Sequence, residues 1–346
     1  MDERVSGSTL RKIGANLGRF ADVRESAKEP MDRVVVQANG ETLKVVAGAS
    51  SGTIIATVHA TTKQFRAVIS AREFLTACKE AETKKEYWIE DLNKGWEIGC
   101  TLVGPKNEDF PRLTKKIPTL LMPPDISAQS QGSIAFTGDE LETLGRVLPG
   151  VVEYDQSPIS VAGKIWTKRD TVRFAATNNI RFAAKEFKGN YELFGYVYAG
   201  FLEAARGIGD AEMNLWSDEK VTLHNDAYRV VGLYKMLRVG GPLDFKQDAL
   251  HPIKYKTVVD RVKFVKTLRE QQKFDNMGRV TLQYEDDTLK VVPYEGKAGW
   301  HARGENMLKV LTALSDKQVG IGLRIADKQP INVRIPEWTI EVAPVL

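Results

Sequence analysis

Apolar residues along this 346-residue chain recur with a helical period in some stretches and a period of two in others, and the succession of the two is itself repeated. Leu10, Ile13, Leu17 and Phe20 stand at helical spacing, with Arg11, Lys12 and Arg19 on the other faces, which predicts an amphipathic helix with a basic outer side. Ser6-Gly7-Ser8 supplies its cap. Pro30 ends any helical tendency, and Val34-Val35-Val36 leads through Asn39-Gly40 into Thr42-Leu43-Lys44-Val45-Val46-Ala47, the pattern of a hairpin. Strands follow at Thr53 to Val58 and Phe65 to Ile69, then a second helix from Ala71 to Glu82. Two more strands, Tyr87-Trp88-Ile89 and Trp96 to Cys100, flank an Asn93-Lys94-Gly95 turn. The order is helix, strands, helix, strands.

That order restarts twice. Leu141, Leu144 and Leu148 mark a helix with Arg146 outward, Ile165-Trp166 turns through Lys168-Arg169-Asp170 into a strand at Thr171, and Phe201, Leu202 and Ala205 open a second helix. Near Lys254 it begins again, with Val258, Val262, Val265 and Leu268 read as one helical stripe among Arg261, Lys263, Lys266 and Arg269. A strand at Leu289 and a helix through Met307, Leu308, Val310, Leu311 and Leu314 follow. The local signature Thr42-Leu43-Lys44-Val45-Val46 returns as Thr288-Leu289-Lys290-Val291-Val292 and, more loosely, as Thr171-Val172-Arg173-Phe174-Ala175. A second landmark follows each copy, Phe74-Leu75, Phe201-Leu202 and Met307-Leu308, respectively 32, 30 and 19 residues after the copy begins. The third interval is the short one. A domain-sized repeat of this kind predicts an α+β fold of three similar domains, each two helices packed on antiparallel sheet. They span 1–120, 134–250 and 251–346, with the Pro- and Ser/Gln-rich stretch 121–133 as a linker.

Composition narrows the class. Hydrophobic residues at 42% and charged residues at 27% are ordinary for globular protein, no apolar run nears the ~20 residues of a membrane span, and the polar start lacks a signal peptide's apolar core. A cytoplasmic protein with no membrane partner is expected. A net charge of +4 is too small to identify a nucleic-acid binder by itself. Cys78 and Cys100 form no metal or redox spacing and read as small buried residues.

Ala176-Thr177-Asn178-Asn179-Ile180-Arg181-Phe182-Ala183 resembles the Ala-Thr-Asp-Gly-His-Arg-Leu-Ala run of bacterial β sliding clamps, the processivity ring (β subunit) of DNA polymerase III. Glu108-Asp109-Phe110-Pro111-Arg112-Leu113 is similar to that family's Phe-Pro closing motif, and Val342-Ala343-Pro344-Val345-Leu346 to its hydrophobic C-terminus. The matches span nearly the whole chain in matching order. Asn178-Asn179-Ile180 departs from Asp-Gly-His, the C-terminus is one residue short without the penultimate Arg, and the polar run Met1 to Ser8 stands where the family has an opening strand. The resemblance is to a divergent clamp, with carriage on a phage or plasmid one reading of the divergence.

The resemblance implies a homodimer of three-domain subunits joined head to tail into a ring, with helices lining a hole that holds duplex DNA without sequence specificity. Arg11, Lys12, Arg19, Arg72, Lys79, Arg146, Arg206, Lys263, Lys266, Arg269 and Lys309 fall on predicted helices and are the candidate phosphate contacts. Surface helices are rich in Lys and Arg in any case, so it is the resemblance that assigns the set to DNA. It also implies a pocket for short hydrophobic peptides of a polymerase and a clamp loader, lined by Val161, Thr177, Asn179, Arg181, Phe182, Met236, Leu237, Met277, Asn306, Val342, Pro344 and Val345. Apolar walls with a few polar groups suit affinities of about 1 μM, roughly −8 kcal/mol. Core packing is the competing account of Val161, Met277 and Val342.

Residues for catalysis do not assemble. His59, His224, His251 and His301 are scattered, Gly207-Ile208-Gly209 follows a helix where a phosphate cradle precedes one, and Asp286-Asp287 and Glu108-Asp109 read as solvated turns. A non-enzyme without cofactor or metal is expected. The alternative is a clamp-fold adaptor or inhibitor that binds clamp-partner peptides without encircling DNA, since Gln271-Gln272 is polar where a subunit joint calls for apolar contacts. An unrelated α+β enzyme is a third reading.

Overall fold

The computed structural model describes residues 5–21, 33–49, 52–59, 64–91, 100–103, 130–152, 162–168, 171–178, 180–188, 195–236, 252–296, 299–324, 329–336 and 338–344. Among the described residues there are six helices, and four of them open on a side-chain cap. Helix α1 (Gly7–Leu17) starts because the Ser6 hydroxyl accepts the Thr9 amide at 3.1 Å, and it buries Leu10, Ile13 and Leu17, with Phe20 buried just past its end. Ser70 caps α2 (Ala71–Glu80). Helix α3 (Gly138–Val151) opens on a capping box: Thr137 Oγ1 accepts the Glu140 amide and Glu140 accepts the Thr137 amide at 2.9 Å. Then come α4 (Ala199–Ala205), α5 (Arg261–Gln271) and α6 (Gly304–Ala313).

Around these helices the strands repeat one plan. After α1 come β2 (Arg33–Ala38), β3 (Thr42–Ala49), β4 (Gly52–His59) and β5 (Phe65–Ser70). After α3 come β9 (Ala162–Lys168), β10 (Thr171–Thr177), β11 (Arg181–Lys188) and β12 (Gly195–Tyr198). After α5 come only β17 (Arg279–Glu285), β18 (Thr288–Pro293) and β19 (Trp300–Arg303). β5, β12 and β19 each run straight into the second helix of their repeat. The strand before the first helix is β1 (Val5–Ser6), β8 (Ser130–Phe136) or β16 (Ile253–Asp260). It pairs with the strand that follows the second helix, β6 (Glu86–Asp91), β13 (Ala211–Trp216) or β20 (Gln318–Arg324), in the registers Ser6↔Glu86, Phe136↔Ala211 and Asp260↔Gln318. The same clasp closes every repeat. The first amide of the first helix donates to the residue just before that returning strand: Gly7 N to Lys85 O at 2.8 Å, Gly138 N to Asp210 Oδ1 at 2.7 Å and Arg261 N to Lys317 O at 2.9 Å. A Cβ at Gly7 would lie 2.0 Å from the Glu82 carbonyl oxygen, so this crossing requires glycine.

The chain divides into two compact units, 1–141 with 204–234 and 142–203 with 235–346, so the middle repeat is shared between them. Adding β14 (Lys220–His224), β15 (Tyr228–Met236), β21 (Ile331–Ile335) and β22 (Trp338–Val342), the two units hold equivalent eight-stranded antiparallel sheets. The first runs β5-β2-β3-β4-β15-β14-β13-β8 and the second β12-β9-β10-β11-β22-β21-β20-β16. Among the described residues each unit also has a three-stranded sheet: β1-β6-β7 in the first, with β7 at Cys100–Val103, and β19-β17-β18 in the second. In the first unit α1 packs on α2; in the second α5 packs on α6. Among the described residues no helix is long and apolar enough to cross a membrane.

Four sequence readings change. The stripe from Val258 is not one helix: Asp260 Oδ1 accepts the Lys263 amide at 2.9 Å and starts the helix at Arg261. Val258 therefore lies on β16 and the core stripe is Phe264, Val265 and Leu268. Val258 and Val262 are 66% and 61% exposed. A two-residue opening strand survives as β1. β8 takes up 130–133 of the stretch read as a linker, because Ile134 and Phe136 anchor it in the core and Ser130 Oγ meets Asn214 Oδ1 at 3.1 Å. Arg19 and Arg206 fall just past the ends of α1 and α4. The short third interval acquires a cause: between β18 and β19 there are six residues, too few for a strand and two reversals, so the counterpart of β4 and β11 is missing. The Trp96-to-Gly99 part of its predicted strand, and the Phe110-Pro111 motif, lie outside the described residues.

Candidate functional site

The eleven basic candidates sort by what already holds them. Arg11 Nε donates to the carbonyl of Ala81, the C-terminal cap of α2, at 2.6 Å, favourable at the negative end of the helix dipole. Arg19 is half-buried, with Nη1 only 2.1 Å from where a Cβ at Gly207 would stand, so Gly207 makes room for it. Arg206 is likewise half-buried, and its Nε is enclosed. Arg146 pairs within α3 with Glu142 at 2.5 Å, and Lys309 within α6 with Glu305 at 2.9 Å. Arg72 is exposed on α2. Lys12 on α1, Lys79 on α2 and Lys263, Lys266 and Arg269 on α5 are exposed and form no ion pair among the described residues. These five are available to an outside anion, and the three on α5 are the densest group.

The peptide-pocket candidates that are described all lie in the second unit. Arg181 stands opposite Val342 across the β11–β22 ladder, Thr177 opposite Phe182 across β10–β11, and the Thr177 hydroxyl donates to the Arg181 carbonyl at 2.8 Å. The Ala343 amide donates to the Ile180 carbonyl at 2.7 Å, which leads the chain on to half-buried Pro344. Asn178 closes the turn, its Oδ1 accepting the Arg181 amide at 2.7 Å. That Asn does here what an Asp would do, by the same acceptor geometry.

Asn306 belongs to the first turn of α6, next to Glu305. Lys309 and, more weakly, the charge of Arg181 hold the Glu305 carboxyl below its ordinary range. The Gly304 amide, which opens α6, donates to Gly278 O at 2.8 Å and so fastens the turn that carries Met277. Thr177, Arg181, Phe182, Val342 and Asn306 are buried, whereas Met277 is 58% exposed, which removes the core account of Met277 and upholds it for Val342. The side chain of Met236 and the residues Val161, Asn179, Leu237 and Val345 lie outside what is described.

Neither the family model scan nor the curated proteins returned a match to this sequence. The backbone does find relatives. A DnaN sliding clamp, the β subunit of DNA polymerase III, from Pseudomonas aeruginosa superposes with TM-score 0.74 at 14% identity over 100% of this chain and 99% of that one. The β subunit from Thermotoga maritima gives 0.72 at 14% over 100% and 99%, and the β chain from Streptococcus pneumoniae gives 0.72 at 12% over the whole of both. This chain has the fold of bacterial β sliding clamps. The resemblance carried by a few motifs thus extends to the full three-repeat architecture.

Two features of this clamp fold are not legible in the sequence. Phe274, in a single 3-10 turn (Gln272–Phe274) after α5, is 74% exposed and sits three residues from Met277, adding a second outward apolar group beside the Asn306 end of α6. Gln272 packs inward, its Oε1 2.6 Å from where a Cβ on Gly304 would be, so the polar pair at 271–272 partly serves the α5–α6 packing. Secondly, Arg324 and Glu341 form a buried ion pair at 2.5 Å, and Asn332 Nδ2 donates to the same carboxylate at 2.9 Å. Burial pushes the Glu341 carboxyl up, against the pull of Arg324. Helical spacing gives no sign of either, because exposure of Phe274 and burial of Glu341 are set by the third dimension.

The remaining polar candidates have structural roles. His301 Nδ1 lies 3.0 Å from Thr281 Oγ1 and stacks edge-on with Tyr294, and His224 approaches Glu212 at 4.0 Å. His59 is exposed at the end of β4, and His251 lies outside the described residues. Asp286 and Asp287 are the two central residues of the β17–β18 hairpin with φ of 49° and 58°, the geometry of a type I′ turn. The Cys78 thiol is buried against Gly14 and pushed up to about 12.

Proposed function

We propose that the chain is a DNA sliding clamp: a non-enzymatic, cytoplasmic processivity factor in which two copies join head to tail around duplex DNA. The observation that carries this reading is the threefold clasped repeat shared over full length with solved clamps. The three repeats correspond to 1–120, 134–250 and 251–346. Lys12, Lys79, Lys263, Lys266 and Arg269 meet phosphates loosely, since a ring that holds DNA by enclosure works only if no contact is tight. Of the others, Arg11 caps α2, Arg146 and Lys309 form intrahelical pairs, and Arg19 and Arg206 are half-buried. A hydrophobic peptide of a polymerase or loader docks in the second unit on exposed Met277 and Phe274 and half-buried Pro344, with Phe182, Val342, Thr177, Arg181 and Asn306 supporting that surface from the interior.

The test uses a nicked circular plasmid. The protein is expected to co-elute with the circle in moderate salt and to be released when a restriction enzyme linearises it. Equal retention on both forms would disprove enclosure. In low salt, replacing Lys263, Lys266 and Arg269 together by Ala should lower the slope of log affinity against log salt by about 0.9 for each phosphate no longer neutralised.

A second reading, a clamp-fold adaptor that binds partner peptides without encircling DNA, has one observation in its favour, the missing strand of the third repeat. A monomer at every concentration together with intact peptide binding would decide for it.

A further inference from the structure

The eight-stranded sheets of the two units can be matched position by position, because the same clasp sets their registers. Phe136 pairs with Ala211 as Val259 pairs with Val319, so Ala135 on β8 corresponds to Val258 on β16, and Glu212 on β13 to Gly320 on β20. One strand further, His224 on β14 corresponds to Arg334 on β21. In the first unit Glu212 stands between Ala135 and His224, and its carboxylate approaches the imidazole at 4.0 Å. In the second unit a glycine stands between Val258 and Arg334. The cationic position has a counterpart there, and the carboxylate has none.

With no side chain at Gly320, the sheet face opens into a trough of about 350 Å³ walled by Lys256, Val258, Arg334 and Pro336, all of them exposed. That is at the lower end of the roughly 300–1,000 Å³ typical of ligand sites. No carboxylate lines the trough, and Lys256 and Arg334 form no ion pair among the described residues. Asp260, further along β16, is engaged as the cap of α5. Arg334 is held in place from below. Its Nε donates to Oδ1 of buried Asn332 at 2.9 Å, Asn332 Nδ2 donates to the Glu341 carboxylate at 2.9 Å, and Glu341 pairs with Arg324. The buried network thus ends in an orienting contact on a surface arginine. A guanidinium fixed at Nε keeps its two Nη groups for an outside acceptor, the paired geometry that suits a carboxylate.

We propose that this trough is a docking site for an acidic peptide segment of a partner protein, whose Glu or Asp carboxylate takes beside Arg334 the place that Glu212 fills beside His224 in the first unit. A neighbouring aliphatic side chain of the peptide rests over Gly320 between Val258 and Pro336. Charge complementarity selects this occupant, since two cations and no anion face the opening and the walls between them are apolar. A nucleic-acid backbone would engage the cations and leave Val258 against water, and a lipid surface calls for a broader apolar patch than one valine and one proline. The inference does not rest on ring closure; it holds for a clamp and for an adaptor alike.

The experiment measures, on the full chain in about 0.1 M salt, the fluorescence anisotropy of a labelled, capped peptide in which Glu alternates with Val, beside the same peptide with Gln for each Glu. The Glu peptide is expected to bind about fivefold or more tightly than the Gln peptide. Arg334→Gln should abolish that preference, and Arg334→Lys, which keeps the charge but not the paired Nη groups, should restore only part of it. Gly320→Glu, which supplies the carboxylate from the chain itself, should abolish it as well. A Cβ there would stand 3.0 Å from that of Arg334, so a urea midpoint near the wild-type value accompanies that variant, while Arg334→Gln, at an exposed position, carries the test without it. Equal binding of the two peptides, or a preference that survives Arg334→Gln, overturns the inference. So does a single-stranded oligonucleotide that displaces the Glu peptide and loses its own binding in Arg334→Gln, which would make the trough a phosphate contact. An Arg334-dependent preference in a chain that stays monomeric would sustain the inference and remove the ring.

Discussion

The β4–β15 joint of the first unit and the β11–β22 joint of the second hold the same place in sheets of the same strand order, yet their interiors differ. Along β4 burial alternates, with Ile54 and Ala56 inside, and they face Val230 and Tyr228. Along β11 five successive residues, Arg181 to Lys185, are buried, so both faces are covered and two of the covered side chains are charged. Arg324, Glu341 and Asn332 add a buried polar network behind β22. Charge removed from water costs several kcal/mol per ion unless it is paired, and the first joint shows that the sheet connection needs none. The difference teaches that the second joint carries buried charge which holding strands together does not require. It lies in the unit that also carries the exposed Phe274 and Met277.

The sharpest way to break this comparison is to remove one ion. Arg324→Met strands the Glu341 carboxylate in the interior and should cost about 3–5 kcal/mol, seen as a lower urea midpoint. Arg324→Met combined with Glu341→Leu should recover much of that loss, because an apolar pair of similar volume needs no compensation. In the apolar joint the corresponding probe is mild: Ile54→Val removes one buried methylene and should cost about 0.5–1.5 kcal/mol. If the two joints responded alike, the charged network would be ordinary structure and would no longer mark a site there.

How far these differences can be read from the sequence depends on which residues carry them. Helices α1 and α2, the Ser6 cap and the Asn39-Gly40 hairpin are legible because local chemistry decides them: the Asn39 Oδ1 accepts the Thr42 amide at 2.8 Å, as that dipeptide predicts. The threefold recurrence of helix, strands and helix is legible from spacing, and the 19-residue third interval already records the lost strand. Arg181, Lys185, Arg324 and Glu341 are not legible as interior residues, since a charged residue on a strand has the same pattern whether water or a second layer covers it. Val258 misleads because an exposed apolar residue one turn before a capped helix imitates its stripe. Of the basic set, sequence finds the helices but not their partners, so Arg11 and Arg146 cannot be told from Lys263.

The smallest effect expected contrasts the buried joint with the surface corner beside β18. There Asp275 accepts from Arg279 at 2.8 Å, and the Arg279 guanidinium lies 4.0 Å over the Tyr294 ring. The hydrogen bonds from Arg279 bring the Asp275 carboxyl down to about 2. A carboxylate lowered in the folded state stabilises it above the unfolded value near 4, and that contribution is lost as pH falls through about 2. Glu341, which burial raises, acts in the opposite sense: its contribution is present below the ordinary carboxylate value and is lost as pH rises through the folded one. Acidification from about pH 4 to 2 should therefore lower the urea midpoint of the wild-type protein through Asp275 and not through Glu341. Asp275→Asn should flatten that part of the curve while leaving the midpoint at neutral pH only slightly reduced. An unchanged acid limb in Asp275→Asn would mean that the Asp275–Arg279–Tyr294 corner is not a held structure, and β18 would then end on a loose turn instead of a fixed edge.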